Sequence, residues 1–299
     1  MSNWEVVGLD IGRSQPKGVK MSEYGQLETY SFPSWISSYY ESQGEDPLKS
    51  DDDLVVELLE NGENNGPKFF VGEVNEFAAK RGTDYKRLSE EKATKHNLIF
   101  ALTMLYRMGI KDYQPVVIGT GVPYLKLKEY GPKVKEQFDN KRYKVRFYKQ
   151  KNQVEARVFD VRFGFVVPEA MGAYYDDPVD DSIGISDLGS VTHNLVYLSK
   201  KRVKIDFSTT KFWGCDKLED NEKSVANNEE IAEMVCTDMK GMDWPSELPI
   251  RLAGGKASDL LPFVRKVYPN ASVVPDPLFA NARGFFKVAN LKAKELQLV

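Results

Sequence analysis

The stretch Ser182–Leu195, SIGISDLGSVTHNL, decides the fold: an apolar run ends at Asp187-Leu188-Gly189, and a second apolar run follows at once. Near the start, Val6–Lys17, VVGLDIGRSQPK, repeats the device with Asp10-Ile11-Gly12. An Asp-x-Gly at the end of an apolar strand suits a phosphate-bearing ligand. The glycine lets backbone N–H groups approach phosphate, and the carboxylate can hold a hydrated magnesium ion. Either turn alone is an ordinary turn signal. Together with the later LAGGKASD, Leu252–Asp259, they fall in the order required of a split nucleotide site with two lobes.

Composition bounds the alternatives. The 299 residues exceed the comfortable size of one core and favour two lobes. The 41 Lys and Arg against 44 Asp and Glu leave a net charge of −3. That balance argues against a protein that wraps nucleic acid, so no direct nucleic-acid binding is expected. Cys215 and Cys236 lie in no paired metal spacing, with only His96 and His193 to help them, and read as reduced, structural thiols. Neither a basic-then-apolar leader nor a run of membrane-spanning length is seen, so the expectation is a soluble, cytoplasmic chain without a membrane partner.

Outward from the turns, Glu5–Asp10 reads as a buried strand with Gly18–Met21 as its antiparallel return. Ser31–Asn65 mixes Trp35, Tyr39 and Tyr40 with the acids Glu41, Glu45, Asp46, Asp51, Asp52, Asp53, Glu57, Glu60 and Glu63. It is expected to be a small acidic insertion before a strand at Lys68–Val71. Ser89, followed by Glu90 and Glu91, is expected to cap a buried helix with an apolar body over Leu98–Met108, ending at Gly109. A short strand, Pro115–Gly119, comes next. Basic residues dominate Lys126–Lys151, and within it Tyr143, Val145 and Phe147 alternate with Lys144, Arg146 and Tyr148. That is the period of a half-buried strand, either a solvated, lysine-protected edge or a contact for a polymer or partner.

Val154–Val167 continues as strand; Pro168 is expected to stop the ladder and Glu169 to begin a helix. Leu195–Leu198 reads as the return of the second phosphate strand. Asn227 and Glu230 have capping-box spacing, with Ile231, Met234, Val235 and Met239 on one helical face as core. Ile250–Ala253 reads as a strand into Gly254 and Gly255, Ser258 as a helix cap, and the final ANARGFFKVAN as a helix.

At these residues the chain resembles the actin-like ATPase superfamily, which also holds heat-shock chaperones and sugar kinases. LDIGRSQPK resembles the first phosphate motif, with Asp10, Gly12, Arg13 and Lys17 at the ligand. VVPEAMGA resembles the segment that supplies a water-positioning acid, here Glu169. ISDLGSVTHN resembles the second phosphate motif, with Asp187, Gly189, Ser190 and Thr192, and LAGGK resembles the adenosine motif, with Gly254, Gly255 and Lys256. IGTGVP, ANARGFFK and the form DLGSVTHN are similar to the plasmid-segregation actin-like proteins, the ParM group. Three departures stand out: Arg13 where a small polar residue is usual, Ser190 in place of a second glycine, and Asn194 where many members carry aspartate. The interval from Asp187 to Gly254, about 67 residues, is too short for the extra subdomain of the second lobe, a compactness similar to the AlfA form.

The resemblance implies an α/β, two-lobed actin-like fold with a nucleotide cleft between lobes and a reduced second lobe. It places domain I at 1–164 plus 276–299, with 31–67 inserted as a small acidic subdomain, and domain II at 165–275. ATP or GTP is the expected cofactor, becoming ADP or GDP, with Mg²⁺ held through water by Asp10 and Asp187. The missing wall implies relaxed discrimination between the purines. Glu169 is the expected catalytic residue, and Lys17 supplies positive charge to the phosphates. The implied activity is nucleotide hydrolysis coupled to an open helical filament of the chain with itself, segregating plasmid DNA through a DNA-binding adaptor on a centromere-like site. The acidic tract and the basic stretch are candidate subunit contacts. A small-molecule kinase of the same superfamily and a nucleotide-binding scaffold without turnover remain open. His193, inside the second turn, reads as a structural hydrogen-bonding residue.

Overall fold

A computed structural model describes residues 4–40, 48, 53–59, 65–72, 85–86, 91–150, 153–215 and 227–299. Glu41, Glu45, Asp46, Asp51, Asp52, Glu60, Glu63, Ser89, Glu90 and Lys151 lie outside the described residues. The chain forms two compact units. One comprises Met1–Ile118, Pro132–Phe165 and Ala289–Val299; the other comprises Gly119–Gly131 and Val166–Val288.

The first unit is built on the expected hairpin. Strands β1 (Glu5–Ile11) and β2 (Pro16–Met21) pair antiparallel, with Asp10 opposite Lys17. Further strands are β3 (Leu27–Ser31), β4 (Ile36–Ser38), β5 (Leu54–Leu59), β6 (Lys68–Val71) and β7 (Tyr85–Lys86). With β8 (Pro115–Val122), β9 (Lys141–Tyr148) and β10 (Val154–Pro168) they complete a sheet of order β3-β2-β1-β8-β10-β9-β5-β6-β4-β7. Helix α1 (Lys95–Arg107) lies against β1 and β2. Its residues from Asn97 through Leu105 are all buried, as a helix apolar around its circumference must be.

Three local expectations are corrected. The cap of α1 is Thr94, whose side chain accepts from the Asn97 N–H at 3.2 Å, so the helix begins at Lys95, later than a Ser89 cap would set it. Strand β8 runs on to Val122. Strand β10 ends at Pro168, as expected, but the helix after Glu169 starts only at Met171.

The basic strand β9 is not an edge. It pairs antiparallel with β10 on one side and β5 on the other. Its alternation is as expected, with Val145 and Phe147 buried, but its Arg146 faces the fully buried Glu57 of β5 at 3.2 Å. Burial pushes the Glu57 carboxyl up, yet hydrogen bonds from Tyr148, the Gly66 N–H and Arg146 outweigh this and hold it below its ordinary value. Much of the basic stretch is paired within the chain: Lys126 with Glu129, Lys133 with Glu91, Lys135 with Asp139 and Lys149 with Glu155. Helix α2 (Leu127–Phe138) follows directly on Lys126 and carries Glu129, Lys133 and Lys135.

In the second unit, β11 (Ile183–Leu188) pairs antiparallel with β12 (His193–Ser199) and parallel with β15 (Ile250–Ala253), which pairs parallel with β16 (Ala271–Val273). Short strands β13 (Arg202–Val203) and β14 (Thr209–Lys211) both pair with β12. This mixed sheet is covered on both faces, which is why its strands are nearly unbroken apolar runs. On one face, Leu195, Ile250 and Leu252 meet Ile231, Val235 and Met239 of α4 (Asn228–Gly241) and Leu260 and Val264 of α5 (Ala257–Val264). On the other, Ile183, Ile185 and Val196 meet Met171 and Tyr174 of α3 (Met171–Asp176) and Ala280, the first residue of α6 (Ala280–Glu295).

The capping box of Asn227 and Glu230 is present in full. Met234, expected in the core, is only half-buried and lines a surface cavity beside Trp213. Helix α5 begins after Lys256 without a side-chain cap, so Ser258 lies inside it and does not cap it. Both cysteines are free and buried, and burial pushes the Cys236 thiol up to about 11, so it stays protonated and inert. Among the described residues no helix is long and apolar enough to cross a membrane.

Candidate functional site

Strand β1 delivers Asp10, buried, to its C-terminal end, where the chain turns at Gly12 and returns as β2. Lys17 Nζ stands 3.8 Å from the Asp10 carboxylate, both side chains largely enclosed. At that distance the pair attracts without a hydrogen bond, leaving ammonium protons to point at a ligand. The Gly12 N–H donates to the Asp10 carbonyl at 2.9 Å, and Ser34 Oγ donates to the Gly12 carbonyl at 2.6 Å, which locks the turn. Arg13 is half-buried beside it. A third cation arrives from outside the motif, because Lys92 Nζ donates to the Ile11 carbonyl at 3.0 Å. No spacing rule links Lys92 to the turn; only the course of the chain into α1 brings it there.

In the second unit, β11 and β15 run parallel with Asp187 opposite Ala253. Their C-terminal ends therefore release the second phosphate turn and the Gly254–Gly255 loop side by side, where open α/β sheets bind ligands. The approach is close. Gly254 has φ +99°, and a Cβ there would stand 2.1 Å from the Leu188 carbonyl oxygen, so only glycine fits. The turn is closed by the Gly189 N–H donating to the Thr192 carbonyl at 2.9 Å, and it is braced from behind by the Cys215 N–H donating to the Gly189 carbonyl at 3.2 Å. Ser190 and Thr192 are half-exposed at its tip, as are Gly254 and Lys256, while Gly255 is exposed.

Glu169 lies in the same unit. It is buried at the exit of β10, its N–H donating to the Val122 carbonyl at 2.7 Å. The next residue, Ala170, takes φ +67°, a strained conformation for a residue with a Cβ. Asn194 Nδ2 donates to Glu169 Oε2 at 3.1 Å, and Asn281 Nδ2 donates to Asp187 Oδ2 at 3.0 Å. Two asparagine amides, neither singled out as a functional residue by the motifs, thus hold the two carboxylates. The signals were in sight, since Asn194 is the departure in the second motif and Asn281 lies within ANARGFFK.

His193 points to the opposite face of the sheet, as neighbours on a strand do. Its Nδ1 lies 2.9 Å from Asp238 Oδ2 and its Nε2 lies 2.9 Å from Ser186 Oγ. A carboxylate only accepts, so Nδ1 carries the proton and Nε2 accepts from the serine hydroxyl. Burial pushes the His193 pKa down and outweighs the attraction of Asp238, which keeps the ring neutral. Serine, histidine and carboxylate here match the connectivity of an acyl-transfer triad. Ser186 is only 2% exposed inside a strand, so no substrate reaches it and the chain of bonds is structural. Trp213 Nε1 donates to the same Asp238 oxygen at 2.8 Å, tying α4 to the segment that braces the phosphate turn.

Among the described residues no group of three or more His, Cys, Asp or Glu side chains could hold a metal by itself. Asp10 in the first unit and Asp187 in the second are each a single buried carboxylate, and a lone carboxylate is the kind of donor that suits a magnesium keeping water and phosphate oxygens as its other ligands.

Comparison with known proteins identifies the family and the fold. The model of the actin-like proteins' N-terminal domain matches residues 8–172, more than half of the chain, from the first phosphate turn through Glu169. The chain belongs to the actin-like proteins. Solved actin-like structures superpose over nearly its whole length. An AlfA filament bound to AMPPNP gives a TM-score of 0.71 at 20% identity, covering 99% of both chains. The apo psk41 ParM protein gives 0.73 at 18% identity, over 99% of this chain and 100% of the other. An archaeal actin homolog in complex with ADP gives 0.69 at 18% identity, over 96% and 99%. At such identities the likeness speaks for the actin-like fold alone. No curated protein matches the chain by sequence.

Proposed function

We propose that this actin-like chain is a nucleotide-dependent filament-forming protein that segregates plasmid DNA, with hydrolysis of ATP or GTP coupled to polymer dynamics. The observation that carries the reading is the adjacency of the second phosphate turn and the Gly254–Gly255 loop at the ends of two parallel strands. The fold shared with an AlfA filament and a ParM filament supports it.

In this reading Asp10, Gly12, Arg13 and Lys17 serve the phosphates from the first unit. Asp187, Gly189, Ser190 and Thr192 serve them from the second, and Gly254, Gly255 and Lys256 take the nucleoside. Lys17 is a point charge for the phosphate oxygens, and the hydroxyls of Ser190 and Thr192 donate to them. Asp10 and Asp187 would hold Mg²⁺ through water; the ion, when bound, neutralises phosphate charge. Glu169 orients the attacking water and accepts its proton.

The domain reading is part of the proposal: domain I at 1–164 and 276–299, and a domain II at 165–275 without its extra subdomain. The less enclosed base then admits both purines. Nucleotide state biases the protein between conformations and so its assembly into an open filament, with a DNA-binding adaptor linking the polymer to the plasmid.

The test is to add Mg-ATP or Mg-GTP to the purified chain and follow light scattering together with phosphate release. Scattering that rises with nucleotide and decays with phosphate release is expected. Phosphate release without scattering would point to a kinase or another ATPase instead, and nucleotide binding with neither would point to a scaffold.

A further inference from the structure

Asn194 is bonded on both ends of its side chain. Its oxygen accepts from the Tyr124 N–H at 3.3 Å and from Thr210 Oγ1 at 2.8 Å. Those two donors fix which way the amide faces, so its nitrogen must point at Glu169 Oε2, 3.1 Å away. The residue is buried, pinned in β12 opposite Asp187 on β11 and opposite Thr210 on β14. On the other side, the main chain of Glu169 is held by its bond to the Val122 carbonyl and by the strained Ala170 that follows. A glutamate side chain has three rotatable bonds, and here the Asn194 amide restrains its far end.

We propose that Asn194 is the positioning residue of the hydrolytic step: a neutral donor that aims the Glu169 carboxylate at the attacking water. This rests on the reading of Glu169 as the water-orienting acid. The neutrality of the amide matters as much as its reach. A carboxylate in its place would present acceptors to acceptors and set like charges against each other in a buried setting.

The experiment compares wild type with Glu169→Gln, Asn194→Asp and Asn194→Ser in turnover of Mg-ATP, affinity for the nucleotide, and melting temperature. N194D keeps the acceptor for Tyr124 and Thr210 and loses the donor to Glu169. N194S adds no charge and is too short to reach Glu169. Both are expected to lose about a hundredfold in kcat, the scale of a mispositioned catalytic group. N194S should do so with nucleotide affinity unchanged, a split that a merely structural role would not produce. If E169Q abolishes turnover while either folded Asn194 variant hydrolyses at the wild-type rate, the proposal is overturned and the role of Glu169 stands. If E169Q itself turns over normally, the reading of Glu169 fails and the proposal fails with it. Should N194D prove unfolded, N194S alone decides.

Discussion

The Asn281 amide donates to the Asp187 carboxylate across 3.0 Å, while its own oxygen accepts from the Ala173 N–H at 3.2 Å. One side chain of α6 thus ties the start of α3 to the acid of the second phosphate turn. Asn281→Ala removes both bonds, each worth about 1 kcal/mol net, from a buried setting. Unfolding stability should drop by about 2 kcal/mol in denaturant titration, and nucleotide affinity should fall more with Mg²⁺ than without it.

The crossing of α3 and α6 depends on two glycines. A Cβ at Gly284 would stand 1.8 Å from the Gly172 carbonyl oxygen, a backbone atom that cannot swing aside. Gly284→Ala should destabilise by about 3 kcal/mol or more, the upper range for overpacking. A variant that melts with the wild type would show that the helices approach less closely than described.

Lys17 faces Asp10 from the opposite strand of the hairpin. Lys17→Ala should weaken nucleotide binding about tenfold or more, the equivalent of one charge-assisted hydrogen bond. The hairpin itself should survive, because its register is set by backbone pairing. Binding of a fluorescent nucleotide analogue and circular dichroism separate the two effects.

Acid should weaken the fold through His193. Its folded pKa lies below the ordinary 6.5 because burial disfavours the imidazolium, so between the two values the unfolded chain binds the extra proton. Stability is therefore full above about pH 6.5 and declines as pH falls through that window. Chemical denaturation from pH 8 to pH 5 should show this slope in the wild type, and His193→Gln, which cannot titrate, should flatten it.

The stretch Lys126–Lys151 offers less free charge to a partner than its composition suggests, since several of its cations meet carboxylates of the same chain. If the contacts between subunits rest on apolar packing more than on charge, assembly should change only modestly between low and physiological salt. A steep loss of light scattering with salt would restore the charge-pairing expectation.

The sequence by itself determined the parts whose signals are local. Asp10 and Asp187 end apolar strands because a short polar turn must follow a buried run. Asn227 and Glu230 announce their capping box four residues from end to end, and Gly254 and Gly255 mark a turn directly after the apolar run Ile250–Ala253. Those features need only neighbours in the chain. Tertiary structure alone decided that β9 is enclosed by β5 and β10, because its alternation is the same at an edge and in the interior. It also decided that Thr94 caps α1, that Lys92 reaches the first phosphate turn within its own unit, and that Asn194 and Asn281 reach Glu169 and Asp187 within theirs. A hydrogen bond between Asn281 and Asp187 spans 94 residues of chain. No periodicity carries information over that distance, and only the packing of α6 against the end of β11 brings amide and carboxylate within reach.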